Sequence, residues 1–238
     1  MHVELSKRLQ VVASYIPKGA RLVDVGSDHA YVPIYALQQN LASFAIAGEV
    51  VKGPFESAQQ NIEKYNLSKK IEARLGSGLS VIQQEDEMDT LTIAGMGGQL
   101  IAQLLTEGVE QLHTMKRLIL QPNVDSHLVR QWLMAHSFLI IDEQIIKEDD
   151  KIYEIIVAER GQASYSEVEQ WMGPYLVRAC SPVFIERWTY ELEGRRRIVA
   201  GLAKAKQTET TALKQKEIER QMKWIEEVIQ HGFNATND

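Results

Sequence analysis

The sequence predicts an α/β protein in which a doubly wound, largely parallel sheet is followed by a helical tail. Strand-like and helix-like stretches alternate five times through the first 160 residues. The alternation closes with two β-rich runs joined by charged Glu148, Asp149 and Asp150, a hairpin signal. Beyond Gly161 strand-like runs give way to long helical patterns. The division predicted is residues 1–161 and residues 162–238.

Taken in order, "ELSKRLQVVASYI" carries Leu5, Leu9, Val12 and Ile16 on one helical stripe. Pro17 and Gly19 turn the chain into the first strand, "RLVDV", and a helix follows that the sequence starts at Pro33, a residue suited to a first helical turn. The second strand, "FAIAGEV", ends at Glu49 and Val50. Phe55, Ala58, Ile62 and Tyr65 share a face of the next helix, and "KIEARLGSGL" alternates as a strand that stops in Gly76, Ser77 and Gly78. "DTLTIAGMGG" is a fourth strand opening on glycines, followed by helical "QLIAQLLTEGVEQL". "RLILQPN" is the fifth, leading into "DSHLVRQWLMAHS". In the tail, Ile185, Trp188, Leu192, Val199 and Leu202 keep a three-four spacing, and Ile218, Met222, Ile225 and Ile229 repeat it. Two helices folded back as an antiparallel coiled coil are expected, with polar "KQTETTA" between them.

Composition narrows the function classes. One cysteine, Cys180, excludes an internal disulfide and any multi-cysteine metal site, and the six histidines show no metal-ligand spacing, so no metal is expected. No stretch has the continuous apolar length of a signal peptide or a membrane span, which predicts a cytoplasmic protein, read as a monomer. The net charge of −6 gives no global attraction to nucleic acid. Residues 1–161 hold 15 Lys+Arg against 21 Asp+Glu, and residues 162–238 hold 11 against 11, so any basic footprint is local. The densest is Arg195, Arg196 and Arg197 with Lys204 and Lys206. Trp171, Trp188 and Trp224 read as packing anchors between helices.

Open α/β sheets bind ligands at the carboxyl ends of their strands. The informative residues gather there: Asp24, Gly26, Ser27, Asp28 and His29 after the first strand, Glu49 and Val50 at the second, Ser77 and Gly78 after the third, Ala94 and Gly95 at the fourth, and Gln121 to Asn123 at the fifth. Glu49 lies 23 residues beyond Gly26, near the spacing at which an acid takes a ribose diol. A pyrophosphate needs further glycines after Gly26 and would be repelled by Asp28. A ligand with adenosine, no phosphate and positive charge fits instead, and S-adenosylmethionine has those properties.

"VDVGSDHAYVPI", "AIAGEVVKGPFESA", "TIAGMGG" and "RLILQPN", in this order, resemble the bacterial TrmK family of tRNA (adenine(22)-N1)-methyltransferases. The resemblance covers residues 1 to about 160 and extends to the tail only in type. It implies a class I, Rossmann-like methyltransferase sheet with a coiled-coil C-terminal domain, S-adenosylmethionine as methyl donor and tRNA as partner. Asp24 and Gly26 match the first methyltransferase motif, while Asp28 and Ala30 stand where later glycines would be. Glu49 matches the ribose-binding acid, Ser77 replaces a common adenine-contacting acid, and "AGMGG" stands where many amino-methylating enzymes carry Pro-Pro.

N1 of adenine owns an in-plane lone pair, so positioning is the main demand of such a reaction. Asp28, Gln121 and Asn123 are the candidates to stabilise the cationic product, and His29 to assist proton removal. N1 is inaccessible in a paired duplex, so the base must be unpaired or extruded, with Tyr31 placed to stack on it. Arg195, Arg196, Arg197, Lys204 and Lys206 are the candidate phosphate contacts. Two alternatives stand beside this reading: a small-molecule methyltransferase, and a non-catalytic RNA-binding or assembly module on a vestigial nucleoside fold.

Overall fold

The structure, a computed structural model, describes residues 2–204 and 208–235. It divides into two compact units, residues 1–165 and 166–238. In the first, α1 (Lys7–Ser14), α2 (Tyr31–Gln38), α3 (Lys52–Lys64), α4 (Gly98–Glu107) and α5 (Ser126–Ala135) surround seven strands. These are β1 (Ala20–Val25), β2 (Ala42–Glu49), β3 (Ile71–Leu75), β4 (Thr90–Met96), β5 (Arg117–Pro122), β6 (Phe138–Glu148) and β7 (Lys151–Arg160), in the order β3-β2-β1-β4-β5-β7-β6.

β1 to β5 are parallel, and the strand order reverses between β1 and β4. β7 runs antiparallel to β5 on one side and β6 on the other, so the returning strand of the hairpin is the one inserted into the sheet. Central strands must be apolar on both faces because helices cover both. Leu22, Val23, Leu91, Ile93, Leu118, Ile119 and Leu120 are accordingly fully buried. The β1–β4 pairing stops at Val25 and Ile93, and beyond it lies the crevice expected of this topology.

Boundaries differ from the sequence reading where local chemistry decides them. Ser6 caps α1 by accepting the Leu9 amide at 3.3 Å, so the helix starts later than its apolar stripe. α2 starts at Tyr31, two residues before Pro33, and Pro33 still falls in the first turn, where an amide would have no partner within the helix. Gly108 ends α4, and residues 109–114 tighten into a 3₁₀ segment.

The second unit contains α6 (Glu167–Met172) and α7 (Pro174–Ala179), two short helices the sequence reading did not separate, then α8 (Pro182–Lys204) and α9 (Glu209–Ala235). α8 and α9 pair antiparallel: Cys180, just before α8, faces Val228, while Arg195 reaches Gln221. Phe184, Trp188, Leu192, Ile218 and Ile225 are the buried residues of this pairing, spaced four apart in α8 and seven apart in α9.

Candidate active site

Asp24, the penultimate residue of β1, is 3% exposed. Ser27 Oγ donates to one carboxylate oxygen at 2.6 Å and Thr92 Oγ1, from β4, to the other at 2.5 Å. Burial pushes its pKa up to about 6, against those two hydrogen bonds, and the Glu49 charge adds to the rise. The next residue but one is Gly26, at φ +70°, where an added Cβ would lie 2.2 Å from the Met96 methyl. The Gly26 and Ser27 amides donate to Gly48 O at 2.9 and 3.2 Å, fastening the loop to β2. Asp28, His29 and Ala30 then all take left-handed backbone, at φ 38°, 67° and 59°. The Asp28 amide donates to Glu49 Oε1 at 2.5 Å. Burial raises the Glu49 pKa first, the Asp28 amide opposes it, and the Asp28 charge raises it further.

This geometry frames two cavities. The larger, about 600 Å³, is walled on the β1 side by Asp24, Gly26, Ser27, Asp28 and Tyr31, and on the β4 and β5 side by Ala94, Gly95 and Asn123. The smaller, about 210 Å³, is mostly apolar and takes in Val25, Val50, Ser77, Gly78, Met96 and Leu100. Gly26 and Met96 border both, so the glycine that opens the loop also separates the chambers. Glu49 lies behind the loop, 6% exposed, with one oxygen committed to it.

Two of the predicted catalytic residues do not face the larger cavity. Gln121 is fully buried, and its carboxamide is spent on neighbours: Oε1 accepts from Arg8 Nη1 and from the Gly95 amide, and Nε2 donates to Asn123. It holds the walls without lining the cavity itself. His29 is absent from the cavity lining, with its Nε2 3.4 Å from Asp28 Oδ1 and its ring 5.5 Å from that of Tyr31. Asp28 and Asn123 do line the cavity, Asp28 with its side chain 84% exposed at the mouth. The β4–α4 turn is seated on the β5–α5 loop: Gly98 N donates to Val124 O at 2.8 Å, and any Cβ at Gly98 would lie 2.2 Å from Asp125 O. Among the described residues no group of three or more His, Cys, Asp or Glu side chains is placed to hold a metal ion.

In the second unit the basic run is largely spoken for. Arg195 pairs with Glu191, hydrogen-bonds Gln221 at 3.2 Å and lies over the Trp171 ring at 4.7 Å. Arg196 bridges Glu193 at 2.6 Å and Glu226 at 2.9 Å. Both guanidiniums therefore hold the helices together, and a phosphate would have to compete with carboxylates for them. Arg197 and Lys204 are exposed, and Lys206 lies outside the described residues. Trp171 meets Trp188 edge-on at 4.6 Å and Trp224 at 6.1 Å, a packing cluster.

The model of the TrmK family, described as tRNA (adenine(22)-N(1))-methyltransferase, matches residues 22–227. The chain belongs to the TrmK family. It is 45% identical over 236 residues to the Bacillus subtilis tRNA (adenine(22)-N(1))-methyltransferase, covering 97% of this chain and 99% of that one. The crystal structure of the B. subtilis TrmK superposes with a TM-score of 0.91 at 43% identity, over 96% of this chain and all of that one. The Mycoplasma capricolum TrmK, solved with S-adenosyl-homocysteine, gives 0.84 at 28% identity over 95% and 98%. A Streptococcus pneumoniae protein solved in complex with S-adenosyl-L-methionine gives 0.87 at 41% identity over 95% and 100%.

In this TrmK-family chain one wall of the larger cavity escaped the sequence reading. Arg8 and Leu9 come from α1, and Lys151, Ile152 and Tyr153 from the start of β7. The Arg8 guanidinium sits 5.2 Å from the Tyr153 ring centroid. The signal was Arg8 itself, a cation beside the apolar stripe of a helix whose neighbours in sequence say nothing about the sheet it packs on.

Proposed function

We propose that the two cavities together form an S-adenosylmethionine site and that Asp28, Asn123 and Tyr31 receive the target base of tRNA beside it. The residues present fit that donor. Val25, Val50, Met96 and Leu100 offer an apolar slot for a purine ring, Glu49 has a carboxylate oxygen left for a diol, and Asp24 and Asp28 put negative charge around the larger cavity. Arg8 and Lys151 on the opposite wall suit the donor's own carboxylate.

When bound, the donor supplies a methyl carbon on a positively charged sulfur, which passes to the N1 lone pair of adenine 22 while the S–C bonding pair stays on sulfur. The chain's part is alignment and charge. No base is needed to free N1, which accords with the absence of His29 from the cavity wall. The Asp28 carboxylate and the Asn123 carboxamide face the space in which the adenine becomes cationic, where acceptors favour the transition state over the ground state. Tyr31, 38% exposed at the start of α2, offers a ring to an extruded base. Exposed Arg197 and Lys204 in the second unit are our candidates for phosphate contacts, and a tRNA substrate accords with a cytoplasmic enzyme.

The observation that carries this reading is the buried Asp24 beneath a loop that ends in Asp28, an acidic floor where a nucleotide fold would present amides to phosphate. Calorimetric titration with S-adenosylmethionine and primer-extension mapping of unmodified tRNA after incubation test it. Heat of binding and a stop at adenine 22 are expected. Binding of NAD instead, or a modified nucleotide elsewhere, would overturn it.

A further inference from the structure

We propose that Asn123 reads the 6-amino group of the target adenine, and that Arg8, acting through Gln121, fixes which end of the Asn123 carboxamide does the reading. The inference rests on the methyltransferase reading above and adds how the base is recognised.

The argument is one of hydrogen-bond polarity. Arg8 can only donate, and so can the Gly95 amide. Both converge on one atom of Gln121, from Arg8 Nη1 and from Gly95 N at 3.0 Å, so that atom is the oxygen, Oε1. The other end, Nε2, therefore donates, and it meets Asn123 at 3.1 Å, which makes the atom it meets Oδ1. Asn123 Nδ2 in turn donates to Gly95 O at 2.8 Å. A permanent cation on α1, together with the Gly95 peptide, thus sets through two amides the orientation of a side chain that lines the larger cavity. Flipping either amide would set donor against donor at Arg8, or acceptor against acceptor at Gly95 O, in a place where Gln121 is fully buried.

The held carboxamide has an Oδ1 lone pair to spare. The N1 of an adenine about to be methylated must point at the methyl group with its lone pair free, so recognition falls to the neighbouring edge, where the 6-amino group donates. An acceptor there accommodates adenine and opposes guanine, whose position 6 is itself an acceptor. As N1 takes the methyl group, positive charge spreads over N1, C6 and the 6-amino nitrogen. The amino group becomes a better donor, so its bond to Oδ1 tightens in the transition state. Asn123 is then a specificity-determining residue, and Arg8 and Gln121 are positioning residues.

The test uses the full-length protein and tRNA transcripts carrying adenosine or purine riboside, which lacks the 6-amino group, at the target position. Single-turnover rates are measured for wild type, Gln121→Glu and Asn123→Ala. The Glu side chain still accepts from Arg8 and Gly95 but cannot donate to Asn123. At saturating S-adenosylmethionine both variants should slow on adenosine by about tenfold or more, and change on purine riboside by less than about threefold, the scale of one base contact. Intrinsic differences in N1 reactivity cancel in that comparison. Equal slowing on both substrates, or no slowing on adenosine, would overturn the proposal. If Gln121→Glu fails to fold, Asn123→Ala, at an exposed loop position, decides alone. Wild type that neither binds the donor nor methylates tRNA would instead overturn the reading beneath it.

Discussion

Thr92 Oγ1 donates to Asp24 Oδ1 at 2.5 Å across the β1–β4 boundary, so the parallel pair at which the strand order reverses is joined by a buried carboxylate. With Asp24 raised from 3.8 to about 6, the fold favours its protonated form. The associated stability is fully present below pH 3.8 and is lost as pH rises through 6, by about 3 kcal/mol at roughly 1.4 kcal/mol per pH unit. Asp24→Asn should therefore gain Tm relative to wild type as pH is raised from 4 to 8, while losing affinity for S-adenosylmethionine. Wild-type affinity should itself climb between pH 5 and 7 as the carboxylate ionises. A Tm difference independent of pH counts against this account.

Glu49 has two tasks that two substitutions separate. Glu49→Gln can still accept the Asp28 amide and should leave the loop in place while weakening donor binding through lost charge. Glu49→Ala removes both, and its loss of affinity should be the larger, roughly 1 to 3 kcal/mol by calorimetry. Unchanged affinity in the Ala variant would take Glu49 out of the site.

The arginines of α8 should divide by function. Arg195→Ala strips the cation from the Trp171 ring and from Glu191, so thermal unfolding should occur earlier. Arg197→Ala and Lys204→Ala should leave Tm alone, weaken tRNA binding and each lower the slope of log K against log salt by about one. Salt slopes indistinguishable from wild type would remove both from the phosphate surface.

Arg130, fully buried on α5, lies 2.6 Å from Glu143 of β6 and 2.7 Å from Glu154 of β7. Arg130→Met would leave two buried carboxylates without their cation, a loss of about 3 to 5 kcal/mol at neutral pH. The loss should shrink in acid, where the carboxylates can take up protons. Urea unfolding at pH 5 and pH 8 measures the difference. Because β7 supplies Lys151 to Tyr153, some loss of donor affinity should accompany it.

The sheet was readable because its signals are local. Uninterrupted apolar runs such as Leu118–Leu120, each ending in Gly, Asn or an acid, identify parallel strands and their functional ends without knowledge of their neighbours. The β1 loop and Asn123 were found the same way. What the sequence could not convey was the direction in which a side chain points once the chain has turned. Gln121 and Asn123 are two residues apart, yet one is fully buried inside β5 and the other lines the cavity, because the strand ends at Pro122 and Asn123 belongs to the loop beyond it. Arg8 is 113 residues from its partner Gln121, a separation at which pattern is silent. Arg195 and Arg196 appeared available because their bonds to Gln221 and Glu226 join two helices and have no signature in either one.

The three successive left-handed residues at 28–30 have a consequence for what kind of molecule this is. Each costs on the order of 1 to 2 kcal/mol relative to ordinary backbone, and none is glycine, the residue that would remove the expense. A coil of mirror-image hand is thus kept wound at the entrance, like a spring held by two catches: Glu49 on the Asp28 amide and Asn61 on His29 O. If that shape is the one a ligand meets, little ordering of the entrance would remain to be done on contact.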